Sequence, residues 1–241
     1  MNTNSKTGFF AVAMAAVLGI VGTTGAQANV IVNGDFEANA AGYTTFPGYD
    51  STAVPSAQAG NPAGPTAWTI QSGNHGVNGL DTASTVFGPT VQTAARDYMF
   101  LQNVDGYYSY EGQSLTLLPN QSYRLDFDAA GRSGNDPAWL GFVVNDGTGN
   151  FFDIRTSSGG SGDINVSTAA FVHYTYSFTT TAGAGPGGSL IFTNEGLNHG
   201  GGDHTVVVSN IVLNSIPEPS TLMMLALGIG RLISARRLLK K

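Results

Sequence analysis

The sequence of 241 residues contains no cysteine. This absence excludes disulfide bonds and thiolate chemistry, so a hydrophobic core and backbone hydrogen bonds must hold the fold together. Basic residues are also scarce between residues 29 and 216, where four arginines stand against fifteen acidic residues and leave a formal charge of −11. Such a field repels phosphate groups, so the composition argues against nucleic-acid binding and favours neutral polymers or cations as ligands.

No long hydrophobic run is present, but a short one lies near the C-terminus. Pro217-Glu218-Pro219 separates it from the preceding chain, because proline neither continues a strand nor sits inside a helix. The apolar stretch from Leu222 to Gly230 follows, and a basic cluster ends the chain. A helix over residues 221–235 would cover ~22 Å against a hydrocarbon core of ~30 Å, so a membrane span is marginal. The alternative is an amphipathic helix on the surface of the protein's own domain.

This tripeptide, apolar segment and basic cluster resemble, in that order, the PEP-CTERM sorting tail of exported bacterial proteins. The resemblance implies that an exosortase recognises Pro217, Glu218, Pro219 and the following helix, and cuts nearby. It also implies that residues 221–235 enter the inner membrane transiently before the body reaches the cell surface or an exopolysaccharide matrix. Arg231 interrupts the apolar segment, which weakens permanent anchorage more than recognition.

The N-terminus indicates export as well. Lys6 provides a positive charge, Phe9 to Val21 is apolar, and Ala26-Gln27-Ala28 is a small-residue cleavage pattern. Together they predict a secretory signal peptide over residues 1–28, with a permanent N-terminal anchor as the alternative. The predicted organisation is therefore a signal helix at 1–28, one domain at 29–216 and a membrane-directed sorting tail at 217–241.

The pattern within residues 29–216 has a period of two. Apolar residues from Tyr123 to Ala129 alternate with Arg124, Asp126 and Asp128, as in a half-buried antiparallel strand. Turn-forming residues separate similar runs, which predicts an all-β, jelly-roll-like antiparallel β-sandwich. The segment from Ala38 to Pro65 fits less well and is interpreted as a flap or a hidden edge strand. The other predicted strands are Val30–Val32, Tyr98–Gln102, Gly112–Leu117, Leu140–Val144, Phe151–Arg155, Phe171–Thr180, Ser189–Thr193 and Thr205–Leu213.

Three short motifs resemble, in order, the galactose-binding-like jelly rolls of carbohydrate-binding modules. They are Asn33-Gly34-Asp35-Phe36-Glu37, Gly112-Gln113-Ser114-Leu115-Thr116 leading into Tyr123–Phe127, and Val208-Ser209-Asn210-Ile211-Val212. The resemblance implies a binding or matrix domain with sugars as the usual ligand class. It also implies a structural calcium ion held by Asp35 or Glu37, although the last-strand aspartate of relatives is replaced by Ser209. The alternative is a turn that caps the first strand.

Aromatic and polar residues at two places have the chemistry of a sugar site. A pyranose stacks its apolar face on an aromatic ring while polar side chains bind its hydroxyl groups. One place is Trp139 with Arg132 nearby, and the other is the cluster Tyr107, Tyr108 and Tyr110, in which the last two share a strand face. Most aromatic residues of a sandwich belong to its core, and burial in the core is the alternative for both places.

Other candidate sites have less support from the sequence. His199, Asp203 and His204 surround a glycine run that brings them within reach of a transition metal, whereas a solvated loop is the simpler interpretation. Asp146 is interpreted as a turn residue. A secreted polysaccharide hydrolase remains the alternative function, with Asp126 and Asp128 as its carboxylates, but no nucleophile elbow or zinc helix occurs. The sequence therefore predicts a non-enzyme with a binding or structural role.

Overall fold

A computed structural model describes residues 29–38, 48–49, 67–70, 77–81, 87–91, 97–103, 109–134, 137–153, 163–199 and 204–216. Residues Asn29–Ser215 form one compact unit. Within the described residues, two six-stranded antiparallel sheets pack face to face, which confirms the predicted all-β sandwich. The predicted signal helix and the membrane-directed helix lie outside the described residues. In the ranges given above, no helix is long and apolar enough to cross a membrane.

The strands of the described residues are divided equally between the two sheets. In chain order they are β1 (Gly48–Tyr49), β2 (Thr69–Ile70), β3 (Val77–Asp81), β4 (Tyr98–Gln102), β5 (Ser109–Thr116), β6 (Ser122–Gly131), β7 (Ala138–Asn145), β8 (Phe151–Asp153), β9 (Ile164–Val166), β10 (Val172–Thr179), β11 (Pro186–Asn194) and β12 (Val206–Ser215). The first sheet has the order β1-β3-β4-β12-β6-β10. The second has the order β2-β5-β11-β7-β8, and β9 also pairs with β7.

The core lies between the sheets and follows the predicted alternation of β6. Tyr123, Leu125, Phe127 and Ala129 are all buried there. Phe127 makes an edge contact with Phe192 of the second sheet, with ring centroids 5.1 Å apart. Such aromatic pairs add directional contacts to the burial of apolar surface, so they fix how the two sheets face each other.

The sequence predicted that the outer face of β6 is exposed to solvent, but one end of this face is covered. Arg124 is exposed, but Ala130 at the other end of the strand is fully buried. Ala130 belongs to a second hydrophobic cluster with Tyr98, Phe100, Val207 and Phe87. The ring of Phe87 stacks on Phe100 with centroids 4.2 Å apart, so the segment that carries Phe87 covers this end of the sheet.

The predicted first strand, Val30–Val32, is wrong. This segment has no strand pairing, although Val30 N donates to Leu213 O at 2.9 Å. The side-chain amide of Gln113 takes the place of a neighbouring strand, because its Oε1 accepts from Val32 N and its Nε2 donates to Val32 O, each at 2.8 Å. A side chain that offers one donor and one acceptor thus satisfies backbone groups without a ladder.

Several short strands were absent from the prediction. β3 contains Asn78-Gly79 and β9 contains Asn165, residues that weaken a strand pattern, yet β3 pairs along its whole length with β4 and β9 pairs with the longer β7. β1 lies within the segment from Ala38 to Pro65 and pairs with β3, which confirms the interpretation of a hidden edge strand. Tertiary pairing therefore overrides the weak local propensity of these segments.

Candidate functional site

The outer face of the second sheet brings two of the predicted sugar-binding aromatic residues together. Along β7 the even-numbered residues are directed into the core, so Trp139 and Gly141 lie on the outer face. Gly141 pairs with Thr193 of β11, and Thr193 pairs with Tyr110 of β5. Because paired residues share a face, Tyr110 and Trp139 lie on the same side with their Cα atoms about 12 Å apart, as strand spacing and rise imply. We call this surface the Trp139 face.

Trp139 is half-buried and stacks on His199. The two rings are nearly parallel, at an interplanar angle of 11° and a centroid distance of 3.8 Å. His199 ends a short 3₁₀ helix, Gly196–His199, which follows β11. Its Nε2 lies 2.9 Å from Oδ2 of Asp163, and because a carboxylate only accepts, Nε2 is the donor. The imidazole therefore connects an indole face to a carboxylate.

Asp163 and Trp139 each have a buried polar atom without a partner among the described residues. These atoms are Oδ1 of Asp163, an acceptor, and Nε1 of Trp139, a donor. The side chain of Asp163 is only 4% exposed, so its second oxygen is withdrawn from solvent. A buried polar atom without a partner costs about 1–3 kcal/mol, which makes this pair an unusual feature of the Trp139 face.

The carboxylate of Glu195 lies beside Gly141 on the Trp139 face. Glu195 follows β11, and its N donates to Trp139 O at 2.9 Å. A Cβ atom on Gly141 would come within 2.9 Å of Glu195 Oε1, so only glycine leaves room for this side chain above the sheet. Oε2 of Glu195 accepts from Asn198 Nδ2 at 2.7 Å. Ile164 of β9 pairs with Leu140 of β7. In this antiparallel register the preceding residue, Asp163, lies opposite Gly141, on the side of β7 away from β11.

The structure places Arg132 apart from Trp139. Arg132 follows β6 of the first sheet, and its Cζ atom lies 5.0 Å from the ring centroid of Phe87. Phe87 covers the outer face of the first sheet, so Arg132 and Trp139 belong to different faces of the sandwich. The predicted grouping of these two residues is therefore wrong. Tyr107, Tyr108 and the sorting residues Pro217, Glu218 and Pro219 lie outside the described residues.

The two histidines of the predicted transition-metal site have separate partners. His204 Nδ1 lies 2.6 Å from Pro137 O, whereas His199 is bonded to Asp163. The His204 side chain also packs closely above Gly196, where an added Cβ atom would lie 2.5 Å from His204 Cβ and 3.0 Å from its ring. Across the described part of the chain, no group of three or more histidine, aspartate or glutamate residues is arranged to hold a metal ion. Asp203 lies outside that part.

Asp35 and Glu37 are exposed and lie in a turn that precedes β1 in the chain. Asp35 Oδ1 accepts from Glu37 N at 3.3 Å, and Asn33 Oδ1 accepts from Ala38 N at 3.2 Å. Asn33 adopts a left-handed backbone with φ of 53°, which asparagine tolerates well in turns. This geometry matches the turn that the sequence offered as the alternative, and the calcium site at Asp35 or Glu37 stays a prediction.

Asp126 and Asp128 lie on the outer face of the first sheet, where neighbouring side chains bind them. Arg124 Nε and Thr175 Oγ1 each donate to Asp126 at 2.7 Å. Burial disfavours the charged form of Asp126, but the hydrogen bonds from Thr175 and Arg124 outweigh it and lower the pKa of this carboxyl. His173 Nδ1 lies 2.9 Å from Asp128 Oδ1. The two aspartates therefore form a surface charge ladder.

The family comparison concerns the end of the chain. Residues 215–237 match the family model described as the PEP-CTERM protein-sorting motif. The chain carries a PEP-CTERM sorting motif. The match confirms the resemblance drawn from Pro217-Glu218-Pro219 and marks the chain as an exported protein that is sorted through its C-terminus. No curated protein matches the sequence.

Several solved structures are similar to the body of this chain at low identity. A Stig cyclase from Fischerella sp. TAU is 15% identical with a TM-score of 0.52, and the match covers 80% of this chain and 98% of the cyclase. The CBM22-1 xylan-binding domain from Paenibacillus barcinonensis is 12% identical with a TM-score of 0.44, and the match covers 62% and 86%. The bacteriophage CBA120 tailspike protein 4 is 16% identical with a TM-score of 0.48; the match covers 78% of this chain but spans only 21% of the tailspike chain. At 15% identity the cyclase shows a similar fold and nothing more, and the other two matches, with TM-scores below 0.5, support no further statement.

Proposed function

We propose that residues 29–216 form a carbohydrate-binding domain that the sorting motif delivers to the cell surface or its exopolysaccharide matrix. The observation that carries the proposal is the Trp139 face, where Trp139 is half-buried. Among the described residues, its donor Nε1 and the acceptor Oδ1 of Asp163 have no hydrogen-bond partner. A sugar hydroxyl both donates and accepts, and the apolar face of a pyranose stacks on an indole. The site thus offers the two kinds of contact that sugar recognition needs.

Tyr110 supports the same proposal. It lies on the same face as Trp139 with Thr193 and Gly141 between them, and the residue is only partly buried. Two aromatic residues on one face of a sheet, with Cα atoms about 12 Å apart from strand geometry, suit a chain of sugars better than a single one. The ligand in this proposal is therefore a polysaccharide or an oligosaccharide.

The sorting half of the proposal follows the PEP-CTERM motif. An exosortase recognises Pro217, Glu218 and Pro219, and residues 221–235 hold the chain at the inner membrane until the enzyme cuts. The terminal basic cluster stays on the cytoplasmic side by the positive-inside rule, which leaves the acidic domain outside. The mass of the mature protein from cells tests this part, because it determines both termini. An intact chain in the soluble cytosolic fraction would contradict it.

The proposal includes no catalytic activity. The predicted pair Asp126 and Asp128 is engaged by Arg124, Thr175 and His173 on the first sheet, away from the Trp139 face. Asp163 and Glu195 flank Gly141, but each accepts a hydrogen bond from a neighbouring side chain that holds it in place. Glycoside cleavage needs one carboxyl group as acid and another as base or nucleophile. Hydrolysis of a polysaccharide by purified residues 29–216 would overturn this part.

Polysaccharide retention by residues 29–216 tests the binding site. The Trp139→Ala variant is expected to bind at least about tenfold more weakly, because it removes the stacking surface and one donor. Phe151→Ala is the matched control, since Phe151 is 61% exposed and pairs with Asn145 on the same face, about 20 Å along β7 from Trp139. Thermal melting of both variants shows whether they fold. Equal losses in the two variants, or none in Trp139→Ala, would contradict the proposed site.

A further inference from the structure

The charges around the second sheet indicate which ligands the Trp139 face attracts and repels. Its strands contain no lysine or arginine within the described residues, whereas Asp163 and Glu195 both lie on the Trp139 face. The domain as a whole carries a formal charge of −11, from four arginines and fifteen acidic residues over 29–216. An anionic polysaccharide would be repelled by these carboxylates and would meet no lysine or arginine on the described strands of this sheet, whereas a cationic one would be attracted.

His199 indicates which chemical group the Trp139 face accepts. Its ring lies flat on the indole at 3.8 Å, and its Nε2 donates to Asp163 Oδ2 at 2.9 Å. A bound group with the same properties would have a flat face for the indole and an N–H donor for the carboxylate. A pyranose with a free amino group has both, so it can take the place of the His199 ring on the indole and at the carboxylate.

The second oxygen of Asp163 completes the argument. Oδ1 is buried and has no partner among the described residues, although a carboxylate can accept several hydrogen bonds. An ammonium group offers three donors, so it can satisfy Oδ1 and Oδ2 together, and the indole face of Trp139 attracts the same positive charge. An N-acetylated sugar offers one amide N–H and no charge, and a uronic acid adds a repelled carboxylate.

We infer that the Trp139 face binds glycans that carry free amino groups in preference to N-acetylated or acidic ones, with Asp163 as the residue that determines this specificity. The inference rests on the proposed carbohydrate-binding function and names the ligand class for the same site. Charge-assisted hydrogen bonds are roughly twice as strong as neutral ones, so a preference of about tenfold for the free amine is expected.

Binding of three defined probes by the exported protein, purified from cells, tests the inference. The probes are a chitosan hexamer, the N-acetylated chitin hexamer of equal length, and polygalacturonate, measured by titration calorimetry at low ionic strength. Asp163→Asn keeps the shape of the side chain but removes its charge, and is expected to reduce the preference for chitosan to about twofold or less. Asp128→Asn removes the same formal charge on the outer face of the other sheet and is expected to keep it.

The outcomes of the titration distinguish the preference for free amino groups from carbohydrate binding as such. Equal affinity for the chitosan and chitin hexamers would overturn the inference while leaving the carbohydrate-binding proposal intact. Equal reduction of the preference by Asp163→Asn and Asp128→Asn would show that net charge, not the Trp139 face, selects the amine, and would also overturn it. Retention of the preference in Asp163→Asn alone would exclude Asp163 as its cause. If none of the three glycans binds, the proposed carbohydrate-binding function itself is refuted.

Discussion

Asp146 is fully buried in the loop after β7, and its replacement by alanine is expected to destabilise the domain strongly. Oδ1 accepts from Thr148 N at 3.0 Å and from Thr148 Oγ1 at 2.6 Å. Oδ2 accepts from Thr181 N at 3.1 Å and from Thr181 Oγ1 at 2.6 Å. The carboxylate thus joins the loop between β7 and β8 to the loop between β10 and β11.

The magnitude follows from these four hydrogen bonds. A hydrogen bond to a charged group contributes about 1.5–3 kcal/mol, but the contributions of neighbouring bonds are not additive. The two backbone N–H groups lose their acceptor in Asp146→Ala, while the threonine hydroxyls can turn toward other partners. We therefore expect the free energy of unfolding to fall by about 3–5 kcal/mol. Most of this loss comes from the two backbone N–H groups that are left without an acceptor. For a domain of this size the melting temperature would fall by roughly 6 to 20 °C.

Thermal and urea unfolding of residues 29–216 at pH 7 measures this loss. Thr181→Ser is the matched control, because serine keeps the hydroxyl that donates to Asp146 and should cost less than about 1 kcal/mol. Asp146→Asn should lie between the control and the alanine variant, since an amide keeps one acceptor oxygen. A loss below about 1 kcal/mol in Asp146→Ala would refute the argument that buried charge-assisted hydrogen bonds hold these loops.

The same residue gives the protein a defined dependence on pH. Hydrogen bonds from Thr148 and Thr181 hold the pKa of the Asp146 carboxyl far below its ordinary value, and burial opposes them only in part. A carboxyl with a lowered folded-state pKa stabilises the protein above its unfolded pKa of about 4, and this stabilisation falls as the pH decreases below that value. The difference in stability between the wild type and Asp146→Ala should therefore be constant from pH 7 to about 5 and shrink below pH 4.

Three further predictions concern other parts of the chain. Gln113→Ala removes both hydrogen bonds to Val32, so residues 29–38 should become sensitive to limited proteolysis, with a loss of about 1–2 kcal/mol; unchanged cleavage would contradict the role of Gln113. Asn194→Ala removes a buried amide that donates at 2.8 Å to Leu101 O and His204 O, and should lower stability by about 2–4 kcal/mol in urea unfolding. Glu218→Ala should change processing, seen by the mass of the protein from cells, without shifting the melting temperature; normal processing would contradict recognition of the tripeptide.

The strand pattern could be predicted where the local sequence was strongly apolar or alternating. β4 has the predicted bounds Tyr98–Gln102, and β10 spans Val172–Thr179 against a predicted Phe171–Thr180. β10 alternates apolar and polar residues, whereas β4 is a short apolar run, as expected of a strand that is buried on both faces. The segment Val30–Val32 is also a short apolar run but has no strand partner, because the side chain of Gln113 binds the backbone N and O of Val32. That partner is 81 residues away in the chain.

The candidate site could be predicted only in part. Trp139 was recognisable because tryptophan supplies a stacking surface, and Tyr110 because it belongs to a cluster of tyrosines in the sequence. Asp163 gave no signal, since an isolated aspartate in a glycine-rich stretch is typical of a loop. Only the pairing of β9 with β7 brings it beside the indole and His199. Arg132 was grouped with Trp139 by sequence proximity, but the chain crosses from one sheet to the other between them.

By itself, the sequence determined the all-β class and the C-terminal sorting motif, because a two-residue period and a contiguous motif are local properties that need no folding partner. The tertiary structure decided which face of each strand is covered and which distant side chains meet. Alternation assigns residues to two faces but does not say what packs on either face. The contact of Trp139 with His199 and Asp163 therefore exists only once β7, β9 and the 3₁₀ helix are assembled.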